Sequence, residues 1–247
     1  MTPGPSGDGI ARYRAARDTV LARIVAACAR AGRNPATVTL VAVSKTVSSE
    51  QLRDAVAAGL DLLGENRVQE GTAKAADVPG ARWHLVGPLQ GNKARRAIEV
   101  FECIESVDSV ALAERLDRLA GELRPTAPYP VLLQVNVDDD PAKAGFQPDD
   151  LEASIARLAK LEHLDIRGLM TIGRLVETPD AARTTFRRLR ELSERWRSIG
   201  PGIGTELSMG MTDDFEVAIE EGATIVRVGR ALFGERPHDH DPAQHAG

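Results

Sequence analysis

One amine stands where a buried strand would be expected simply to end. In TLVAVSKTVSSE, residues 39–50, Leu40 to Val43 form an apolar run with β-branched members, and Lys45 sits just past it. Such a run is the pattern of a strand covered on both faces. Two chemistries fit the lysine. Its stem can cover apolar surface while the ammonium stays in water. Alternatively, a desolvated amine with a lowered pKa keeps enough neutral form to attack a carbonyl and make a Schiff base. Position alone leaves both open.

The far end of the chain offers the groups an anion needs. Ser208 carries a hydroxyl, Gly210 and Gly229 let backbone approach a ligand closely, and GRALFG, residues 229–234, opens a short helix with free N–H groups. Taken singly, each glycine is ordinary turn geometry. Together with the amine they point to a ligand that holds both an aldehyde and a phosphate, as pyridoxal 5′-phosphate (PLP) does. Arg227 alternates with Ile225 and Gly229 on one face of ATIVRVGR, residues 223–230. Turned outward under helices, its guanidinium would be buried at a cost; turned inward, it can hydrogen-bond a ligand. An ion pair with a barrel carboxylate such as Glu65 is the structural alternative.

These residues need a scaffold that brings strand ends together. Short apolar runs at 38–43, 61–63, 83–86, 102–105, 131–137, 164–170, 205–208 and 224–228 alternate with amphipathic helical segments. Those segments lie at about 49–58, 66–76, 91–98, 109–122, 149–160, 180–198 and 213–220, with a short one after Gly229. A further helical stretch, Ile10 to Ala31, precedes them and ends at Gly32 and Asn34-Pro35. Eight βα units in 247 residues most simply close into a single (β/α)8 TIM-type barrel preceded by an N-terminal helix. A doubly wound sheet would need a glycine-rich first turn, and SKTVSSE has no glycine. The expected organisation is a disordered arm over 1–9, one barrel domain with its leading helix over 10–236, and a disordered tail over 237–247. In such barrels the C-terminal strand ends carry the site. Lys45, Asn66, Ser208 and Arg227 all fall there.

Composition narrows the classes. Aromatics are 4% and the formal charge is -5, so neither a stacking platform nor a broad basic face for nucleic acid is present. No stretch is long and apolar enough for a membrane span. Cys28 and Cys103 read as buried small hydrophobes in a reducing cytosol. Three of the five histidines fall in the tail ERPHDHDPAQHAG, where nothing would fix a ligand geometry, so no metal site is expected. Asp213 and Asp214 suit a helix start. Asp138 to Asp140 resembles a calcium loop only superficially, since Lys143 stands where its glycine should be. His84 reads as a core or barrel-rim hydrogen-bonding group.

Seven stretches in order, VAVSKT (41–46), GENRVQE (64–70), WHLVGPLQGNK (83–93), QVNVDDDPAKAG (134–145), RGLMTI (167–172), LSMGMTDDFEVAI (207–219) and VRVGRALFG (226–234), resemble the pyridoxal phosphate homeostasis proteins. The resemblance implies an alanine-racemase-like barrel with PLP held as a Schiff base on Lys45. It places Asn66 near the ring, Arg227 at the pyridine nitrogen, and the phosphate on Ser208, Gly210, Gly229 and residue 230. It makes Lys143 a second lysine that takes part in cofactor handling. Arg230 departs from the small hydroxyl residue expected there, and Thr212 stands where serine is usual. A cytoplasmic, monomeric PLP carrier is implied, with PLP-dependent apo-enzymes as candidate recipients and no established turnover.

The residues agree with a carrier. Racemisation needs two positioned bases; the only tyrosines are Tyr13, in the first helix, and Tyr129, at the start of a strand. No second domain is expected after residue 236. An arginine at the ring nitrogen leaves that nitrogen unprotonated and weakens the ring as an electron sink. The rivals are a slow PLP-dependent amino-acid racemase and a lysine Schiff-base aldolase of phosphorylated sugars.

Overall fold

The computed structural model describes residues 6–174, 176–199 and 202–234. Eight strands, β1 (Thr39–Val43), β2 (Leu62–Glu65), β3 (Arg82–Leu85), β4 (Cys103–Val107), β5 (Tyr129–Gln134), β6 (Leu164–Met170), β7 (Glu206–Ser208) and β8 (Ile225–Val228), close into a barrel in sequence order. Every neighbouring pair is parallel. The helices are α1 (Gly7–Arg30), α2 (Ser49–Ala57), α3 (Val68–Asp77), α4 (Ala94–Val100), α5 (Val110–Leu123), α6 (Pro148–Leu158), α7 (Arg183–Ile199), α8 (Phe215–Glu220) and α9 (Arg230–Phe233). The expected (β/α)8 barrel with a leading helix is the fold, and the sixth apolar run matches its strand end for end.

Strand alternation splits the core into two layers. Val41, Leu62, Val86, Leu132, Met170 and Ile225 fill the barrel interior. Val226 and Val228 belong to the larger layer between sheet and helices. Side chains two apart on a strand share a face, so Ile225 inward carries Arg227 inward with it. Thr39 to Ala42 pair with Ile225 to Val228. This register sets the ends of β1 and β8, and hence Lys45 and Gly229, side by side.

α1 buries Tyr13, Val20, Ile24 and Ala27, a helical stripe, and packs on α2, α8 and α9. The expected disordered arm over 1–9 is corrected for Ser6 to Gly9. Ser6 caps α1 through the Gly9 N–H at 3.1 Å, and its own N–H and hydroxyl donate to Asp54 at 2.7 and 3.0 Å. The cap satisfies amides the first turn cannot pair, so the helix begins at Gly7. Residues 1–5 and the expected tail lie outside the described residues. Asn34 caps a 3₁₀ turn, Pro35–Thr37, that leads into β1. Among the described residues no helix is long and apolar enough to cross a membrane, and no cluster of three or more His, Cys, Asp or Glu could hold a metal.

Candidate functional site at the C-terminal barrel mouth

Lys45 sits in a tight turn. The Val47 N–H closes it onto the Ser44 carbonyl at 3.0 Å, and Thr46 takes φ of 67°. A β-branched residue in the left-handed region is strained, the kind of backbone that persists where surrounding bonds over-determine it. Those bonds are present. Lys74 of α3 donates to the Ser44 carbonyl at 2.9 Å and to Glu65 Oε1 at 2.6 Å, and the Ser44 hydroxyl donates to the same Glu65 oxygen at 2.8 Å. α2 then starts with a capping box between Ser48 and Gln51.

A cavity of about 270 Å³ opens beside this turn, lined by Lys45, Val43, Thr46, Val47 and Gln51 with Gly229, Arg230, Phe233 and Gly234. α1 adds Arg12, whose guanidinium donates to the Phe233 carbonyl at 3.4 Å and lies over the Tyr13 ring. Three cations, Arg12, Lys45 and Arg230, line this cavity, and no carboxylate among the described residues does. A Cβ on Gly229 would sit 3.3 Å from the Val43 carbonyl, so the bare backbone allows the close approach of β8 to β1. Arg230 turns toward Asp213, with which it pairs at the surface.

The other expected residues lie around and below the cavity. Arg227 is 4% exposed inside the barrel; its Nη1 donates to the Ser208 hydroxyl at 2.6 Å and its Nη2 to the Thr171 carbonyl at 2.8 Å. Ser208 in turn donates to Glu105 Oε2 at 2.5 Å, and His84 Nδ1 meets Glu105 Oε1 at 2.6 Å. Any phosphate contact by the Ser208 hydroxyl competes with these bonds. Gly210 takes φ of 91° with its carbonyl accepting from the Arg227 N–H; a Cβ there would lie 2.5 Å from Ala218 Cβ. Asn66 is half-buried at the end of β2, its backbone so close to Gly87 that a Cβ on that glycine would fall 2.3 Å from the Asn66 carbonyl oxygen. Thus Lys45, Gly229 and Arg230 share the cavity, Ser208 and Arg227 share the barrel network, and Gly210 and Asn66 flank them.

Electrostatics follow from burial and partners. Burial pushes the Glu105 carboxyl up, but the His84 hydrogen bond and charge, the Arg227 charge and the Ser208 hydrogen bond outweigh it and hold it below its ordinary range. Burial lowers the Arg227 guanidinium, opposed by Glu105 and Asp214. Burial raises the Asp214 carboxyl against the Met211 N–H it accepts at 2.6 Å. The alternative partner for Arg227, Glu65, is committed instead to Lys74 and Ser44. Lys143 pairs with Asp140 at 3.5 Å. His84 is the interior hydrogen-bonding group its strand position suggested. Arg12, Lys74 and Glu105 carry roles that no local motif announced.

A family model for the alanine racemase N-terminal domain matches residues 19–237. A pyridoxal phosphate homeostasis protein of Pseudomonas aeruginosa is 45% identical over 223 residues, covering 89% of this chain and 94% of that one. The chain belongs to the pyridoxal phosphate homeostasis proteins. The member from Escherichia coli K12 is 40% identical over 226 residues, covering 87% of this chain and 93% of its own length. PipY of Synechococcus elongatus PCC7942, solved with PLP bound, is 45% identical with a TM-score of 0.75, covering 87% of this chain and all of its own. An alanine racemase of Clostridium difficile 630, 17% identical at a TM-score of 0.70, covers 97% of this chain and 64% of that one and shares the fold.

Proposed function

We propose that this homeostasis-family protein binds PLP at the mouth of its barrel, holds it as a Schiff base on Lys45, and serves as a carrier or reservoir of the cofactor without catalytic turnover. The carrying observation is the cavity that joins Lys45 to Gly229 and Arg230 under a lining with three cations. An amine beside bare backbone and guanidinium groups suits a small aldehyde with an anionic end. When bound, PLP supplies that aldehyde and a ring that absorbs in the visible. Lys45 contributes the amine, and the turn over 44–47 presents it. Gly229, Gly210 and Ser208 bring backbone toward the phosphate, with Arg230 and Arg12 adding charge. Arg227, one inward position below Gly229 on β8, faces the ring edge, and Asn66 flanks it. Lys143, in the loop after β5, is the second amine for cofactor handling.

Both tyrosines support a carrier over a racemase. The Tyr13 ring packs on Phe233 with centroids 5.7 Å apart, and the buried Tyr129 hydroxyl donates to the Phe101 carbonyl at 2.8 Å. Neither stands ready as a base opposite Lys45. The two free, buried cysteines fit a cytoplasmic protein. A monomer that passes PLP to apo-enzymes completes the reading.

Borohydride reduction of the purified, PLP-loaded protein followed by peptide mass mapping tests it. A phosphopyridoxyl adduct is expected on the Lys45 peptide and is lost in Lys45→Ala; an adduct solely on another lysine, such as Lys143, overturns the assignment. Chiral analysis after incubation with L-alanine tests the absence of turnover, and rapid scrambling would contradict it. A colourless protein that cleaves a phosphorylated sugar would favour the aldolase.

A further inference from the structure

Among the described residues no carboxylate is in direct contact with the Arg227 guanidinium. Buried in the barrel, it is met by the Ser208 hydroxyl and the Thr171 carbonyl, both neutral. Two carboxylates act on it from further off, Glu105 and Asp214, with Glu105 the stronger and one hydrogen bond away through Ser208. Glu105 is fully buried, accepts a hydrogen bond from the Ser208 hydroxyl at 2.5 Å, and is tied on its other oxygen to His84 at 2.6 Å. A buried carboxylate is costly to keep unless it is paired. This one lies inside the barrel, remote from solvent, in line with the arginine.

We propose that Glu105 is the positioning residue of the site: through Ser208 it fixes the orientation of the Arg227 guanidinium and balances its charge, and so sets the electrostatic environment of a ligand held on Lys45. The inference rests on the PLP reading above. His84 anchors the far oxygen, which keeps the carboxylate from rotating away from Ser208. The arrangement separates two tasks. Arg227 faces the ligand; Glu105, one hydrogen bond removed from that arginine through Ser208, decides where it points and how much positive charge the ligand meets.

Substitution Glu105→Gln removes the charge and retains both bonds, since the amide oxygen can accept from Ser208 and the amide N–H can donate to His84 Nδ1 in its other tautomer. Absorption spectra of the PLP-loaded proteins at neutral pH provide the readout. An unbalanced guanidinium disfavours a further positive charge nearby, so the ratio of visible to near-ultraviolet absorption should fall by about twofold or more in Glu105→Gln. Ser208→Ala, which cuts the link and leaves both charges in place, should also move the ratio. In an Arg227→Gln background the Glu105→Gln change should have no further effect, because coupled residues are not additive.

Melting curves and far-ultraviolet circular dichroism establish that each variant is folded. If Glu105→Gln fails to fold, Glu105→Asp, which keeps the charge but shortens its reach to Ser208, decides the matter. An unchanged spectrum in the folded variants, or an equal change with and without Arg227, overturns the proposal while the PLP reading stands. Wild-type protein that traps no PLP on Lys45 overturns the PLP reading and this proposal with it.

Discussion

Lys74 Nζ lies 2.9 Å from the Ser44 carbonyl and 2.6 Å from Glu65 Oε1, so one ammonium from α3 holds both the residue preceding Lys45 and the last residue of β2. The partners are well removed from water, at 12% and 0% side-chain exposure. Removing one member of such a pair leaves the other charge uncompensated. Lys74→Met should therefore cost about 3–5 kcal/mol in urea unfolding. Adding Glu65→Gln should restore a large part of it, and no restoration would mean that the pair is not what Lys74 supports.

Thr46 adopts a backbone conformation that costs a β-branched residue about 1–3 kcal/mol. Asparagine tolerates it far better. Thr46→Asn is expected to raise the melting temperature, a gain of about 1 kcal/mol. A loss of stability would show that the Thr46 hydroxyl, which donates to the Lys45 carbonyl at 2.5 Å, outweighs the strain.

Glu105 sets an acid limit. Its folded pKa lies below the ordinary 4.5. A depressed carboxyl contributes stability that is present in full above its unfolded value and is lost as pH falls through the folded one. Wild type should thus lose stability below about pH 4.5 more steeply than Glu105→Gln. Urea midpoints at pH 7 and in the acid range check this, and parallel curves would contradict it.

Arg12 reaches the cavity from α1 and adds charge without a motif. Arg12→Ala should weaken PLP binding by about threefold to tenfold, as fits a partly exposed charge-assisted contact. Pyridoxal, which lacks the phosphate, should bind equally to both forms. Titration calorimetry with the two ligands distinguishes a phosphate contact from a general loosening of α1.

Much of this architecture is written locally. Apolar runs between amphipathic helices gave eight strands in order, because a parallel strand covered on both faces must be apolar throughout. Lys45 was visible as an exception to that pattern, and the alternation of Ile225 with Arg227 put the guanidinium inside. Glu105 was missed for a related reason: reading the fourth run as 102–105 put the carboxylate at a strand end, whereas β4 continues to Val107 and buries it. Its partners are 21 and 103 residues away, and pairings of that range leave no mark in a local window. Arg12 meets Phe233 across 221 residues. On the sequence it is one more arginine on an exposed helical face.

That last contact has a bearing on biosynthesis. Among the described elements α1 is translated first; it supplies Arg12 to a pocket whose opposite wall, Gly229 to Gly234, is translated last of the described residues. A nascent chain can display Lys45 early yet has no enclosure for a guest until α9 docks. A ligand held there would then mark a chain in which both walls are in place, stabilise that state over partly made ones, and tie α1 to α9.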